Sequence, residues 1–226
     1  MALRAIVFDF DGVIANSEPL HFRGYRDVLA DEGIALAERD YYAHYLGFDD
    51  VGAFKAIGRT YGATWDGPRI KELVARKAVR LEELERDVSV LFPGAADAIR
   101  RASAAMPIAI ASGARGDEIR RVLARERLSA CFTAIVAAED TPVSKPAPDP
   151  YLRAVSLLGA AAGDALNASE CVAIEDSNWG LESARAAGLR TVAVTTTYAA
   201  DELAADLTIA SLENIDLDLL ARLCAG

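Results

Sequence analysis

Two histidines and three cysteines in 226 residues leave little from which to build a metal centre on nitrogen or sulphur. Zinc sites draw on clusters of these two residue types, and no such cluster can be assembled here. Cys131, Cys171 and Cys224 are odd in number, widely spaced and without a Cys-x-x-Cys pair, so a disulfide framework is not expected and a reducing, cytoplasmic setting fits. Basic charge is also scarce. Lys and Arg total 24 against 34 Asp and Glu, a net charge of −10, which lacks the basic footprint of a nucleic-acid surface. No apolar run approaches the ~20 residues of a membrane span, and the first strand pattern starts too close to Met1 to leave room for a signal peptide. The Gly-x-x-x-x-Gly-Lys, Gly-x-Gly-x-x-Gly and Gly-x-Ser-x-Gly patterns are missing as well. The expectation is a soluble protein, a monomer in the simplest case, with a small molecule as partner. Its acidity sets a condition: an anionic ligand needs local relief from a metal ion, a placed lysine or backbone N–H groups.

With 52% hydrophobic and 26% charged residues the chain can bury a core, as one large domain or two modest ones. Ala5 to Phe8 read as a short buried strand that stops at Asp9, Phe10, Asp11 and Gly12. Period-two alternation sets both aspartates on one side, and Gly12 lets the chain turn sharply. Helical patterns follow at about 18–33 (with Ser17 as the N-cap), 38–46, 49–59 and 69–87, and no strand pattern returns before Ile108–Ala111. A βαβ crossover needs only about a dozen residues, so residues 15–87 read as a helical domain inserted after the first strand, with 1–14 and 88–226 forming an α/β core. From there strand and helix alternate. A helix spans 95–105, another 117–127, and a short strand falls at Ile135–Val136. Asp149 and Pro150 open a helix ending near Gly159. The strand Val172–Ile174, a helix over 178–187, the strand Thr191–Val194, an edge strand Leu207–Ile209 and a helix over 215–224 complete the pattern. Such alternation implies a doubly wound, mainly parallel sheet with helices on both faces.

Open parallel sheets bind ligands outside the carboxyl ends of their strands. Those ends carry Asp9 and Asp11, then Ser112 and Gly113, then a loop with Ser144-Lys145-Pro146, then Glu175, Asp176 and Ser177. Each has an ordinary explanation as a turn, a solvated lysine or a helix start. Together, four acids, a hydroxyl beside a glycine and a lysine suit phosphoryl transfer. Carboxylates hold Mg²⁺, lysine, hydroxyl and N–H groups bind phosphoryl oxygens, and an aspartate can attack phosphorus.

These residues resemble the haloacid dehalogenase superfamily, in its β-phosphoglucomutase-like and phosphoglycolate-phosphatase-like branch. The motifs are Asp9-Phe10-Asp11-Gly12-Val13, Ala111-Ser112-Gly113, Ser144-Lys145-Pro146 and Ile174-Glu175-Asp176-Ser177, with Ser17-Glu18-Pro19-Leu20-His21 and Ala75-Arg76-Lys77 in the insert. The resemblance implies Asp9 as nucleophile and Mg²⁺ ligand. It implies that Asp11 gives its carbonyl to the metal and its side chain to proton transfer. Ser112 and Gly113 would bind the phosphoryl group, Lys145 would neutralise charge, and Asp176 and Glu175 would complete the metal site. The insert would be a cap over the site, and His21 and Arg115 would contact cap or substrate. Asp11 counts against a dehalogenase. The mutase has a basic residue where this chain has Leu46-Gly47-Phe48-Asp49-Asp50, so a phosphatase is expected first and a phosphosugar mutase second. Lys55, Arg59 or Lys77 would have to supply the missing cation. A phospho-receiver module shares the aspartates and lysine but has no use for a cap of about seventy residues within a ~100–150-residue domain.

Overall fold

In the computed structural model, residues 2–46, 48–86 and 88–225 are described; Gly47, in the acidic stretch noted above, and Asp87, the last residue of the expected insert, lie outside them. Six strands, β1 (Ala5–Phe8), β2 (Ile108–Ala111), β3 (Ala134–Val136), β4 (Cys171–Glu175), β5 (Arg190–Val194) and β6 (Leu207–Ile209), form one sheet in the order β3-β2-β1-β4-β5-β6. Every pairing is parallel. β1, β2 and β4 are buried along their whole length, as expected of strands covered on both faces. β6 is only half-buried, consistent with an edge.

After β1 the chain forms α1 (Glu18–Ala30), α2 (Glu38–His44), α3 (Asp50–Thr60) and α4 (Gly67–Glu85) before returning through α5 (Ala95–Ala105) to β2. The remaining helices are α6 (Gly116–Arg125), α7 (Asp149–Ala162), α8 (Asn178–Ala186) and α9 (Leu217–Ala225). On one face of the sheet Tyr151, Ala154 and Leu158 of α7 and Ala184 of α8 pack on Val7, Ala109, Ala111 and Ala173. The alternate residues Ile6, Ile108, Ile110 and Ile174 point to the other face and are equally buried. None of the described helices is long and apolar enough to cross a membrane.

The chain divides into two compact units, one running to Asn16 and resuming at Val90, the other Ser17–Ser89. The division falls after 16 and before 90, two residues later at each end than the expected 14 and 88. The reason is local pairing. Asn16 N donates to Val90 O at 2.6 Å, Phe92 N donates to Ile14 O at 3.0 Å, and Ala15 bridges Leu91, so residues 15 and 16 join the sheet unit, while 88 and 89 stay with the helical unit, Val88 N donating to Glu85 O at 3.4 Å. The helical unit has its own core, with Phe22, Tyr25 and Leu29 of α1, Tyr41 of α2, Phe54 and Ile57 of α3, and Ile70 and Leu73 of α4.

Several element ends differ from expectation. Ser17 holds the N-cap position of α1 as expected, but its backbone angles are helical and its side chain makes no capping bond. At α7 the cap position is Pro148, one residue earlier than expected, and the helix runs through Gly159 to a left-handed cap at Gly163 with φ +67°. α6 stops at Arg125 because Arg127 adopts φ 56°. α9 starts at Leu217 instead of 215.

Candidate active site

The strand order reverses beside β1, with β2 on one flank and β4 on the other, which is where an open parallel sheet leaves a crevice. Phe8 pairs with Ile174, so Asp9 stands level with Glu175, and Asp9 N donates to Ile174 O at 2.9 Å. Asp9 is 8% exposed, Asp176 7% and Glu175 0%. Into this acidic row the loop after β3 delivers Lys145, whose peptide to Pro146 is cis. Its Nζ lies 2.9 Å from Asp9 Oδ1 and 2.6 Å from Glu175 Oε1. The buried Tyr151, in the first turn of α7, donates its hydroxyl to the same Oε1 at 2.6 Å, and its ring centroid lies 5.4 Å from Lys145 Nζ.

Two glycines make room for this packing. Gly12 has φ +76°, and a Cβ there would run into the Asp176 carboxylate. A Cβ on Gly180, in the first turn of α8, would strike the Glu175 carboxylate. The site is therefore crowded by its own acids.

Three carboxylates against one ammonium leave a net charge of −2 if all are ionised. Burial, and then the charge of Asp9, push Glu175 up to about 7 and Asp176 up to about 6. Burial by itself would lower the pKa of Lys145; Asp9 and Glu175 outweigh it and hold the lysine charged. Burial, then Glu175, raises the Tyr151 phenol well above its ordinary value, so it stays a donor. Asp9, Glu175 and Asp176 can each offer an oxygen within 4.8 Å of the others. An all-oxygen donor set with an uncompensated −2 charge fits one hard divalent cation such as Mg²⁺.

The other expected site residues are placed as follows. Asp11 is half-buried and its backbone bridges Ala15, while the three-carboxylate group does not include its side chain. Ser112, 4% exposed, leaves β2 at the same sheet edge, with its N donating to Val136 O at 3.0 Å and its Oγ accepting from Ala114 N at 3.1 Å. Gly113 is exposed, with open space where a Cβ would lie. Arg115 is exposed and paired with Asp117 at 3.2 Å. His21 lies in the helical unit, its Nδ1 2.8 Å from Lys77 Nζ.

Three residues were not anticipated. Tyr151 carries no signal in the sequence, since an aromatic in a helix's first turn reads as core. Thr196 donates to the carbonyl of Gly12 and Thr197 to Oδ2 of Asp176. Those threonines follow β5, and extending the strand-end survey by one strand would have found them.

A sequence model of the haloacid dehalogenase-like hydrolases matches residues 6–194. Hexitol phosphatase B of Escherichia coli K12 is 31% identical over 216 residues, covering 93% of each chain. Protein CbbY of Rhodobacter capsulatus is 32% identical over 232 residues, covering 95% of this chain and 98% of the relative. Among solved structures, CbbY from Rhodobacter sphaeroides in complex with xylulose-1,5-bisphosphate superposes with a TM-score of 0.78 at 25% identity, over 95% of this chain and 96% of the other.

Proposed function

The chain belongs to the haloacid dehalogenase-like hydrolases, and from that premise we propose that it is a Mg²⁺-dependent phosphatase of a small sugar or polyol phosphate, acting through an aspartyl-phosphate on Asp9. The observation that carries this reading is the Asp9–Lys145 contact of 2.9 Å inside an acidic row at the strand-order reversal. A relative named for hexitol phosphates and a neighbour holding a sugar bisphosphate support the substrate class.

In this reading a carboxylate oxygen of Asp9 attacks phosphorus and the ester P–O bond breaks, the leaving alkoxide taking its proton from Asp11. Asp11 then accepts a proton from water, whose oxygen attacks phosphorus. The bond to Asp9 breaks and inorganic phosphate leaves. Lys145 pairs with Asp9 and offsets charge on the phosphoryl oxygens, which Ser112 and the N–H groups beside Gly113 hold. Mg²⁺, held by Asp9, Asp176, Glu175 and the carbonyl of Asp11, would supply electrostatic stabilisation of the transferring group. The helical unit takes the role of the family's cap, keeping water out while the aspartyl-phosphate forms. Arg115 and His21, engaged with Asp117 and Lys77, are given no step.

Hydrolysis is preferred to a mutase because of the helical unit's acids. Asp49 caps α3, accepting from Gly52 N at 2.7 Å. Asp50 Oδ1 accepts from Lys77 Nζ at 2.7 Å and from the Tyr25 hydroxyl at 2.6 Å. The buried Lys77 is thus already matched, and a poor anchor for a second phosphate.

The test is phosphate release from a hexitol phosphate and from an aryl phosphate, with Mg²⁺ or with EDTA. Release should require Mg²⁺ and disappear in Asp9→Asn; a variant that keeps most of its turnover rules Asp9 out as nucleophile.

A further inference from the structure

β5 carries none of the four motifs, yet the loop that leaves it touches two of them. Thr195 N donates to Ile209 O at 3.1 Å, which anchors the loop to β6. The next two hydroxyls reach back across the sheet edge. Thr196 Oγ1 donates to the Gly12 carbonyl, in the turn that follows Asp9 and Asp11, and Thr197 Oγ1 donates to Asp176 Oδ2. Register makes the reach possible. Glu175 pairs with Ala193, so Asp176 stands level with Val194, three residues before Thr197.

The same Asp176 oxygen is confined from a second direction. Gly12 approaches so closely that a Cβ would overlap Oδ2. A carboxylate beside Asp9 and Glu175 is repelled by both, and without a donor it would turn toward solvent. A hydroxyl donor to the charged oxygen opposes that rotation.

We propose that the β5 exit loop is a positioning element for divalent-cation binding: Thr197 fixes the orientation of the Asp176 carboxylate, and Thr196 fixes the Gly12 turn against which that carboxylate rests. The proposal rests on the Mg²⁺ site argued above. Groups that hydrogen-bond to metal ligands commonly set affinity as strongly as the ligands' own placement, and losing one weakens binding about 10–100-fold.

Thr197 is exposed and Thr196 half-buried, so Thr197→Val, which keeps the shape and removes the donor, leaves the core untouched. Mn²⁺ binding, followed by electron paramagnetic resonance on the full-length protein, provides a readout independent of turnover. Thr197→Val should weaken Mn²⁺ binding about 10–100-fold, and Thr197→Ser should restore it. In phosphate release, the Mg²⁺ requirement of Thr197→Val should rise in step while turnover at saturating Mg²⁺ stays near wild type. Asp176→Ala separates the two levels of the argument. If it abolishes Mn²⁺ binding while Thr197→Val binds like wild type, the positioning role is wrong and the metal site stands. Equal weakening in Thr197→Val and Thr197→Ser also overturns the role, because the hydroxyl would not be the operative group. Unchanged binding in Asp176→Ala overturns the metal site itself, and the positioning role with it.

Discussion

Without a divalent cation the protein should lose stability between about pH 5 and about pH 8, and Mg²⁺ should restore it. The acidic row explains why. Burial and then Asp9 lift Glu175 from an ordinary 4.5 to about 7, and Asp176 from 3.8 to about 6. In the unfolded chain both ionise near their ordinary values, so across this window the folded state binds protons that the unfolded state has released. Stability is therefore fully present at low pH and falls as pH rises through the folded values. At roughly 1.36 kcal/mol per pKa unit, ionising Glu175 alone costs about 3 kcal/mol. The two shifts do not sum, because a proton on either carboxylate relieves the other. Against a total stability of roughly 5–15 kcal/mol this loss is measurable, and a cation at about 100 times its dissociation constant returns about 2.7 kcal/mol. The assay is urea unfolding at four pH values, in EDTA and in excess Mg²⁺. Glu175→Gln serves as the control and should flatten the EDTA profile. A flat EDTA profile in the wild type, or the same decline with Mg²⁺ present, would refute the reasoning.

Two further perturbations test single contacts. Tyr151→Phe fills the same core volume but strips one donor from Glu175 Oε1, a bond of 2.6 Å to a buried carboxylate. It should cost about 1.5–3 kcal/mol and lower turnover, and an unchanged urea midpoint with unchanged turnover would show that the hydroxyl contributes nothing. Asp50→Asn removes the carboxylate facing Lys77, a lysine only 1% exposed. The full-length protein should lose about 3–5 kcal/mol, and Lys77→Met in the same chain should recover much of it, since an unpaired buried charge is the source of the cost; a harmless single variant would contradict this.

The strand ends were legible for a physical reason. A parallel sheet buried on both faces can place polar groups only at its exits, so Asp9, Ser112, Glu175 and Asp176 each interrupt an apolar run. Lys145 lies in a proline-rich loop with no such run to mark it, and it became readable only in the company of the acids. Contacts between elements were not legible at all. Tyr151 belongs to the apolar face of α7 by every local criterion, and its hydroxyl finds Glu175 only because α7 packs against β1, β2 and β3. The expected end of α7 near Gly159 is displaced by one turn. Gly163 takes the left-handed cap, whereas Gly159 is inside the helix, where a Cβ would come within 3.0 Å of the Asp164 carbonyl. Ser17 before Glu18-Pro19 fits a capping pattern, yet its backbone is already helical.

Charge connects the composition to the chemistry. A chain of net charge −10 that handles an anion must supply positive charge locally. The described residues of the acidic row contain one candidate, Lys145, and Asp9 and Glu175 already share it. With the row fully ionised at −2, adding a phosphoryl group of roughly −2 gives about −4 around a single buried ammonium. Hydroxyls and N–H groups at Ser112 and Gly113 can orient that charge but cannot neutralise it. In the proposed reaction a bound cation would supply the remaining positive charge, and the three carboxylates that make the row so acidic are the donors a hard cation prefers. The excess of acid at this sheet edge is then what makes phosphate binding feasible, and stability, Mn²⁺ affinity and turnover should all respond to the same carboxylates.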